Sequence, residues 1–198
     1  MTNKPEGETV FELFCNANHI LWQRVQTGLV PTPDYLVFLS GAAVYVEIKQ
    51  VDADEDFRPP SGVSSRTVGS HVRQKIADSR KQMQAAASAG NPGVLLVYNN
   101  LDPMQLFGTE SHDFVSAMYG EMTVRLKGTQ ITDSFYGRNS LLREGHNRSF
   151  SAVGHLRSSP TGPTIRIFEN VFARYPLDFP SLPECIGAVR IEVAEDAA

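Results

Sequence analysis

Two short apolar-rich runs of the chain are typical of β-strands, and the second of them alternates with the strand period of two. The runs read YLVFL at 35–39 and AVYVEIK at 43–49, separated by a short Ser-Gly connection. This spacing predicts a β-hairpin. One face of the second run is apolar, and the other face carries the charged pair Glu47 and Lys49.

Two other stretches have the apolar period of a helix. In residues 9–26 the apolar side chains fall on one broad stripe, and Gly28 is the expected stop. In residues 71–89 a similar stripe precedes Gly90-Asn91-Pro92-Gly93. The acidic and then Pro-, Gly- and Ser-rich segment 51–70 is predicted to be a surface loop.

The rest of the chain predicts further strands. GVLLVYNN at 93–100 is typical of a central strand buried on both faces. We expect a helix near 110–119, a strand near 121–127, an arginine-bearing loop, and strands near 149–156 and 164–169. The order α-β-β-α-β, with additional C-terminal strands, predicts an α/β protein with a mixed central β-sheet flanked by helices. A length of 198 residues favours one domain, 1–198.

Composition narrows the function classes. No run reaches the roughly 18 apolar residues that a membrane-spanning helix needs, and the start MTNKPEGETV has no apolar secretory core. Cys15 and Cys185 lie far apart, which favours a reduced, cytoplasmic setting. The net charge of −4 argues against a general DNA-coating protein but permits an enzyme of nucleic acids. Cationic side chains concentrate in one segment, where Arg138, Arg143 and Arg148 are candidate phosphate contacts.

Glu47 and Lys49 have a chemical partner in Asp34, which begins the preceding strand. A hairpin brings Asp34 beside Glu47. Two carboxylates can hold a divalent ion such as Mg²⁺, and the carbonyl of Ile48 is a further candidate ligand. Such an ion polarises a phosphate and acidifies water, while a neighbouring lysine orients the attacking water.

Pro33-Asp34 followed by Glu47-Ile48-Lys49 in a strand resembles the motif of the PD-(D/E)XK nuclease superfamily. The resemblance implies a restriction-endonuclease-like fold and metal-dependent hydrolysis of phosphodiester bonds. It implies Mg²⁺ or Mn²⁺ on Asp34 and Glu47, with Lys49 positioning water. The expected partner is nucleic acid; DNA is favoured over RNA, and a homodimer is compatible with the superfamily.

The resemblance covers about residues 8–100. A helix before the motif often supplies a glutamate in this superfamily, which implies Glu12 as catalytic and metal-binding, with Glu8 in reserve. A helix after the motif often turns a glutamine toward the site, which implies Gln82, with Lys75 as its rival. The ending IRIFENVFARYPL also resembles the close of some members.

Simpler interpretations stand beside this one. Glu47 and Lys49 could form a solvent-facing ion pair of little energetic value. Asp34 could be a turn residue at a strand entry. The alternative function is a catalytically inactive nuclease-like fold that binds nucleic acid or protein, and a third is a structural subunit of a larger assembly.

Overall fold

The computed structural model describes residues 4–26, 28, 30–52, 67–101 and 104–192 of the chain. Its helices are α1 (Glu6–Ala17), α2 (Ser70–Asp78), α3 (Arg80–Ser88) and α4 (Ser111–Tyr119), and a 3-10 helix covers Phe179–Ser181. Its strands are β1 (Leu21–Arg24), β2 (Tyr35–Leu39), β3 (Ala42–Val51), β4 (Gly93–Asn99), β5 (Glu121–Lys127), β6 (Gln130–Arg138), β7 (Ala152–Arg157), β8 (Thr164–Glu169) and β9 (Ile186–Val189).

A seven-stranded mixed sheet organises the fold. Its order is β1-β2-β3-β4-β7-β8-β9. The first three strands are antiparallel neighbours, whereas β3, β4 and β7 run parallel. The predicted α/β class with a helix-flanked mixed sheet is therefore confirmed. The single domain over 1–198 stays a prediction, and none of the helices described is long and apolar enough to cross a membrane.

The sheet has an apolar core on each face. On one face α1 packs over residues that include Tyr35, Val46 and Leu96. On the other face the core contains residues of α2, α3 and α4, among them Ile76, Met83 and Phe114. β4 lies between these cores and is buried along its whole length, as its apolar sequence predicts.

The predicted hairpin is confirmed as β2 and β3. Ser40 and Gly41 connect the strands with φ of 48° and 85°, the left-handed values that tight hairpin turns require. Tyr35 pairs with Val46, and the ladder continues to Leu39 opposite Ala42. Alternation along β3 places Val46 on the α1 face and Glu47 on the opposite face.

The prediction of one helix over 9–26 is wrong. α1 ends at Ala17, where the Asn18 side chain donates a hydrogen bond of 2.9 Å to the carbonyl of Phe14. His19 then adopts a φ of 55°, and residues 21–24 pair with β2 as the edge strand β1. The apolar stripe continues past Ala17, but the backbone of residues 21–24 pairs with β2 and forms a strand. Gly28 therefore terminates no helix.

Segment 71–89 is helical but divided. Ser79 separates α2 from α3 and donates its hydroxyl to the carbonyl of Lys75 at 2.8 Å. A serine that bonds back to the preceding turn competes with the helical pattern and commonly bends or interrupts a helix. The predicted apolar stripe is buried on both sides of the break, at Val72, Ile76, Met83 and Ala87.

The second half of the chain matches the predictions in part. α4, β5, β7 and β8 lie close to the predicted segments. The predicted arginine-bearing loop is wrong over 130–138, because these residues form β6 and pair with β5 in a separate two-stranded sheet. β9 was not predicted. Residues 53–66 of the predicted 51–70 loop lie outside the described residues.

A glycine permits the close approach of α1 to the sheet. Gly7 is buried, and a Cβ atom at this position would lie 2.9 Å from Cβ of Tyr98 and 3.2 Å from Cγ2 of Ile48. Both neighbours belong to central strands, which have little room to move. Any larger residue must therefore push α1 away from the sheet.

We expect Gly7→Ala to lower the free energy of unfolding by about 1–3 kcal/mol, the usual cost of overpacking a core. The loss should appear even though alanine favours a helix by about 1 kcal/mol over glycine. Gly137→Ala in β6 is the control, because its Cβ would meet nothing within 4 Å. Urea denaturation of the two variants measures the difference; equal stability would contradict the close packing of α1.

Candidate carboxylate site

The β2–β3 hairpin brings Asp34 and Glu47 together. Because Tyr35 pairs with Val46, continuing the register by one residue sets Asp34 opposite Glu47. Oδ2 of Asp34 accepts a hydrogen bond of 2.8 Å from the backbone N–H of Ile48. This bond fixes the Asp34 carboxylate against β3, next to the carboxyl group of Glu47.

Glu47 is the most buried member of the site. Only 2% of its side chain is exposed, and its Oε1 lies 2.7 Å from Nζ of Lys49. Its Oε2 is buried and has no hydrogen-bond partner in the described part of the chain. A buried carboxylate oxygen without a partner is costly, so its burial calls for an explanation.

The surroundings make Glu47 hold a proton unusually well. Burial is the largest influence and, together with the neighbouring Asp34 charge, raises the pKa of Glu47 to about 7, despite the opposing hydrogen bond from Lys49. The side chain of Lys49 is 28% exposed, so it lies between the buried carboxyl group of Glu47 and solvent. The repulsion from Asp34 is thus the second cause of the raised pKa, after burial.

Gln82 lies on the helical layer that covers the Glu47 face of the sheet. Its helix, α3, contributes Met83 to the core on that face. Oε1 of Gln82 is buried and finds no hydrogen-bond partner among the residues described. Its rival Lys75 lies in α2, one helix earlier, and its carbonyl accepts the Ser79 hydroxyl.

Glu12 belongs to a different cluster. Its Oε1 accepts a hydrogen bond of 2.8 Å from the hydroxyl of Tyr35, and its Oε2 forms an ion pair with Lys4. Glu8, the reserve candidate, accepts from the same Tyr35 hydroxyl at 3.3 Å and pairs with Arg24. Tyr35 projects into the core beneath α1, whereas Glu47 projects from the other face. The structure therefore does not bring Glu12 or Glu8 to the carboxylate site.

The three candidate arginines lie in different local structures. Arg138 ends β6, and Arg143 lies in a tight turn whose backbone bonds reach His146; both are exposed. Arg148 donates from Nε to the carbonyl of Phe172 at 3.1 Å, a bond that holds two loops together. Arg148 thus has a structural bond, whereas Arg138 and Arg143 are exposed.

His155 was not identified from the sequence as a candidate site residue. On the sheet Lys49 pairs with Val97, and Val97 pairs with His155, so the three lie in one row on the same face. Adjacent strands lie about 4.8 Å apart, which puts the Cα atoms of Lys49 and His155 about 10 Å apart. His155 is 7% exposed beside the ring of Phe114. The position of His155 in the row of Lys49 follows from the pairing of β7 with β4, which no spacing in the sequence predicts.

A second group with ligand atoms lies at the start of α4. Glu110, His112 and Asp113 have ligand-type atoms within 4.8 Å of one another. Glu110 and Asp113 form a capping box, and Asp113 also accepts from the N–H of Gly69 at 2.7 Å. These bonds stabilise the start of α4, and this role accounts for the close grouping of the side chains.

Comparison of the chain with protein-family models, curated proteins and solved structures found no match.

The raised pKa of Glu47 predicts a pH dependence of stability. The folded protein holds the Glu47 proton more tightly than the unfolded chain, so this group's contribution is lost as pH rises from 4.5 through about 7. Relative to Glu47→Gln, metal-free wild type should lose up to about 3 kcal/mol of unfolding free energy over that interval. Denaturation at several pH values in the presence of a chelator measures this, with exposed Glu144→Gln as control. If the difference in unfolding free energy between wild type and Glu47→Gln does not vary with pH, the fold does not raise the pKa of Glu47.

Proposed function

We propose that the protein is a metal-dependent nuclease that hydrolyses phosphodiester bonds, with DNA as its expected substrate. One observation carries the proposal: a buried glutamate, one oxygen of which has no partner among the described residues, lies beside a second carboxylate and a lysine. Structural ion pairs rarely leave a buried carboxylate oxygen unpaired next to a like charge. A site built to receive a cation has this arrangement.

A restriction-endonuclease-like fold is part of the proposal. The hairpin β2–β3, the α2–α3 crossover and the buried parallel strand β4 follow in the order that the superfamily resemblance implies. The chain departs from the expected core by its extra edge strand β1 and by the position of Glu12. The departure at Glu12 leaves two carboxylates, not three, as the proposed ligands.

The residues present fit Mg²⁺ or Mn²⁺. Both ions take oxygen ligands and retain several waters, so Asp34 and Glu47 suffice as protein carboxylates. Oε2 of Glu47 is the unpaired oxygen, and Asp34 is already oriented by the N–H of Ile48. The carbonyl of Ile48 stays a predicted further ligand. A bound ion would supply charge neutralisation at the phosphate and acidify water.

Lys49 and Gln82 have separate proposed tasks. The Lys49 ammonium donates one N–H to Oε1 of Glu47 and has two further N–H groups that could orient a water for attack on phosphorus. Its positive charge also stabilises the negative charge that develops on the phosphate oxygens. Gln82, with a buried acceptor oxygen, would accept a hydrogen bond from a water of the site and so hold that water in place.

A binding module without catalysis is the second candidate. The observation that favours it is the closed Glu47–Lys49 ion pair, in which the lysine already has a carboxylate partner. Under this alternative the ion pair stabilises the hairpin and no metal binds. Metal binding therefore distinguishes the two proposals more directly than DNA binding does.

Lys49→Ala should abolish cleavage of DNA in Mg²⁺ or Mn²⁺ while leaving the protein folded. Loss of a residue that orients water and stabilises charge costs about 100-fold or more in rate. Lys127→Ala, an exposed lysine in β5, is the matched control and should retain full activity. A nicking assay with supercoiled plasmid measures the rates, and circular dichroism checks folding. Cleavage that survives Lys49→Ala would refute the assigned role.

Mn²⁺ binding should depend on both carboxylates. Calorimetric titration at pH 8, where Glu47 is ionised, should show binding by wild type that weakens at least about 10-fold in Asp34→Asn and in Glu47→Gln. Glu12→Gln should bind Mn²⁺ like wild type, because Glu12 lies on the other face of the sheet. Equal binding by all four proteins, or no binding by wild type, would favour the binding module.

A further inference from the structure

The β5–β6 hairpin has an apolar face that nothing in the described chain covers. The side chains on this face are large and 40–69% exposed: Met122, Val124, Leu126, Ile131 and Tyr136. We call these five residues the apolar hairpin face. A monomer rarely leaves so many neighbouring apolar side chains in water without a use for them.

Strand register creates this face. Met122 pairs with Tyr136, and Val124 pairs with Ser134, so these four side chains point the same way. A register shift between Arg125 and Leu126 then sets Leu126 opposite Ile131. Without the shift, Ile131 would point to the other face; the irregularity therefore adds to the apolar surface.

The opposite face of the hairpin is polar. Arg125 lies 3.5 Å from Asp133 and stacks 4.9 Å above the ring of Phe135. Thr123 and Lys127 alternate with the apolar residues of β5 and share the Arg125 face. The hairpin is therefore amphipathic, with its charges directed away from the apolar hairpin face.

The base of the hairpin is fixed to the body of the protein. Gly120 leads directly from α4 into β5 with a φ of 101°, and a Cβ there would lie 2.6 Å from the carbonyl oxygen of Arg138. Asn139 donates to Glu121 at 2.8 Å and accepts from Arg73 of α2 through its carbonyl. These contacts present the apolar face in a defined orientation, although an isolated two-stranded sheet is of marginal stability in water.

We propose that the apolar hairpin face is a dimer interface, on which a second copy of this chain stacks face to face about a two-fold axis. The face carries no charge, so two copies meet without burying an unpaired ion, and like meets like as a two-fold contact requires. Nucleic acid does not fit, because it is bound through cations that this face lacks.

The available area agrees with a weak, reversible dimer. The five side chains are about half exposed, and with the hairpin surface around them they form a patch of roughly 500 Å² per copy, the size of a large apolar patch on a monomer. Two copies would bury roughly 1,000 Å², the size at which specific interfaces begin. An interface of this size is typical of weak, reversible association. This inference does not depend on the proposed nuclease activity.

Sedimentation of the full chain over about 1–100 µM tests the proposal, since this range brackets a micromolar dissociation constant. Wild type should show a concentration-dependent dimer, and Leu126→Asp should weaken it at least about 10-fold, because a charge would be buried in the contact. Thr123→Asp, the matched change on the polar face, should dimerise like wild type. Circular dichroism of each variant checks that the fold is intact.

Cross-linking locates the contact independently. Ser134 lies near the middle of the apolar hairpin face, so Ser134→Cys in a Cys185→Ser background should form a disulfide-linked dimer on mild oxidation. Gln130→Cys, at the tip of the hairpin, is the control and should cross-link far more slowly. Wild type that stays monomeric at every concentration, or a dimer unaffected by Leu126→Asp, would overturn the proposal. Binding of monomers to lipid vesicles through Leu126 would overturn it in favour of a membrane-surface contact.

Discussion

Asp34 and Glu47 carry like charges, and the register of β2 and β3 holds them side by side in a largely buried place. The register cannot relax without turning the apolar side of β3 toward solvent, because a one-residue slip moves every side chain to the other face. The two hydrophobic cores thus keep Asp34 and Glu47 close together despite their repulsion. Lys49 offsets part of it by its bond to Oε1 of Glu47, and Oε2 stays unpaired among the described residues.

Contacts on the α1 face of the sheet help to fix the position of Asp34. The hydroxyl of Tyr35, the residue next to Asp34, donates toward two glutamates of α1, and Gly7 lets that helix lie close to β3 and β4. Glu12 therefore helps to fix the start of β2, a structural task that differs from the metal-binding role implied by the resemblance. Glu12 contacts Tyr35 and lies on the opposite face of the sheet from the carboxylate of Glu47.

The parts of the fold that could be predicted are those where one period dominates. Alternation in β3 correctly assigned Glu47 and Lys49 to one face, and the apolar run of β4 correctly indicated a buried strand. Helical periodicity failed after Ala17 because the stripe continues into β1, whose pairing with β2 is a long-range interaction. A helix pattern also does not tell which sheet face the helix will cover, so the sequence could not place Glu12 relative to Glu47. β6 is exposed throughout, so burial left no pattern in its sequence.

The central claim is that Glu47 is a strained carboxyl held ready for a cation, and its own titration tests this most directly. Carbon-13 NMR of the glutamate carboxyl groups, with Glu47→Gln for assignment, follows that titration. Without metal the midpoint should lie near 7, and saturating Mg²⁺ should move it toward the ordinary value of 4.5. A midpoint that is the same with and without Mg²⁺ and Mn²⁺ would contradict the account.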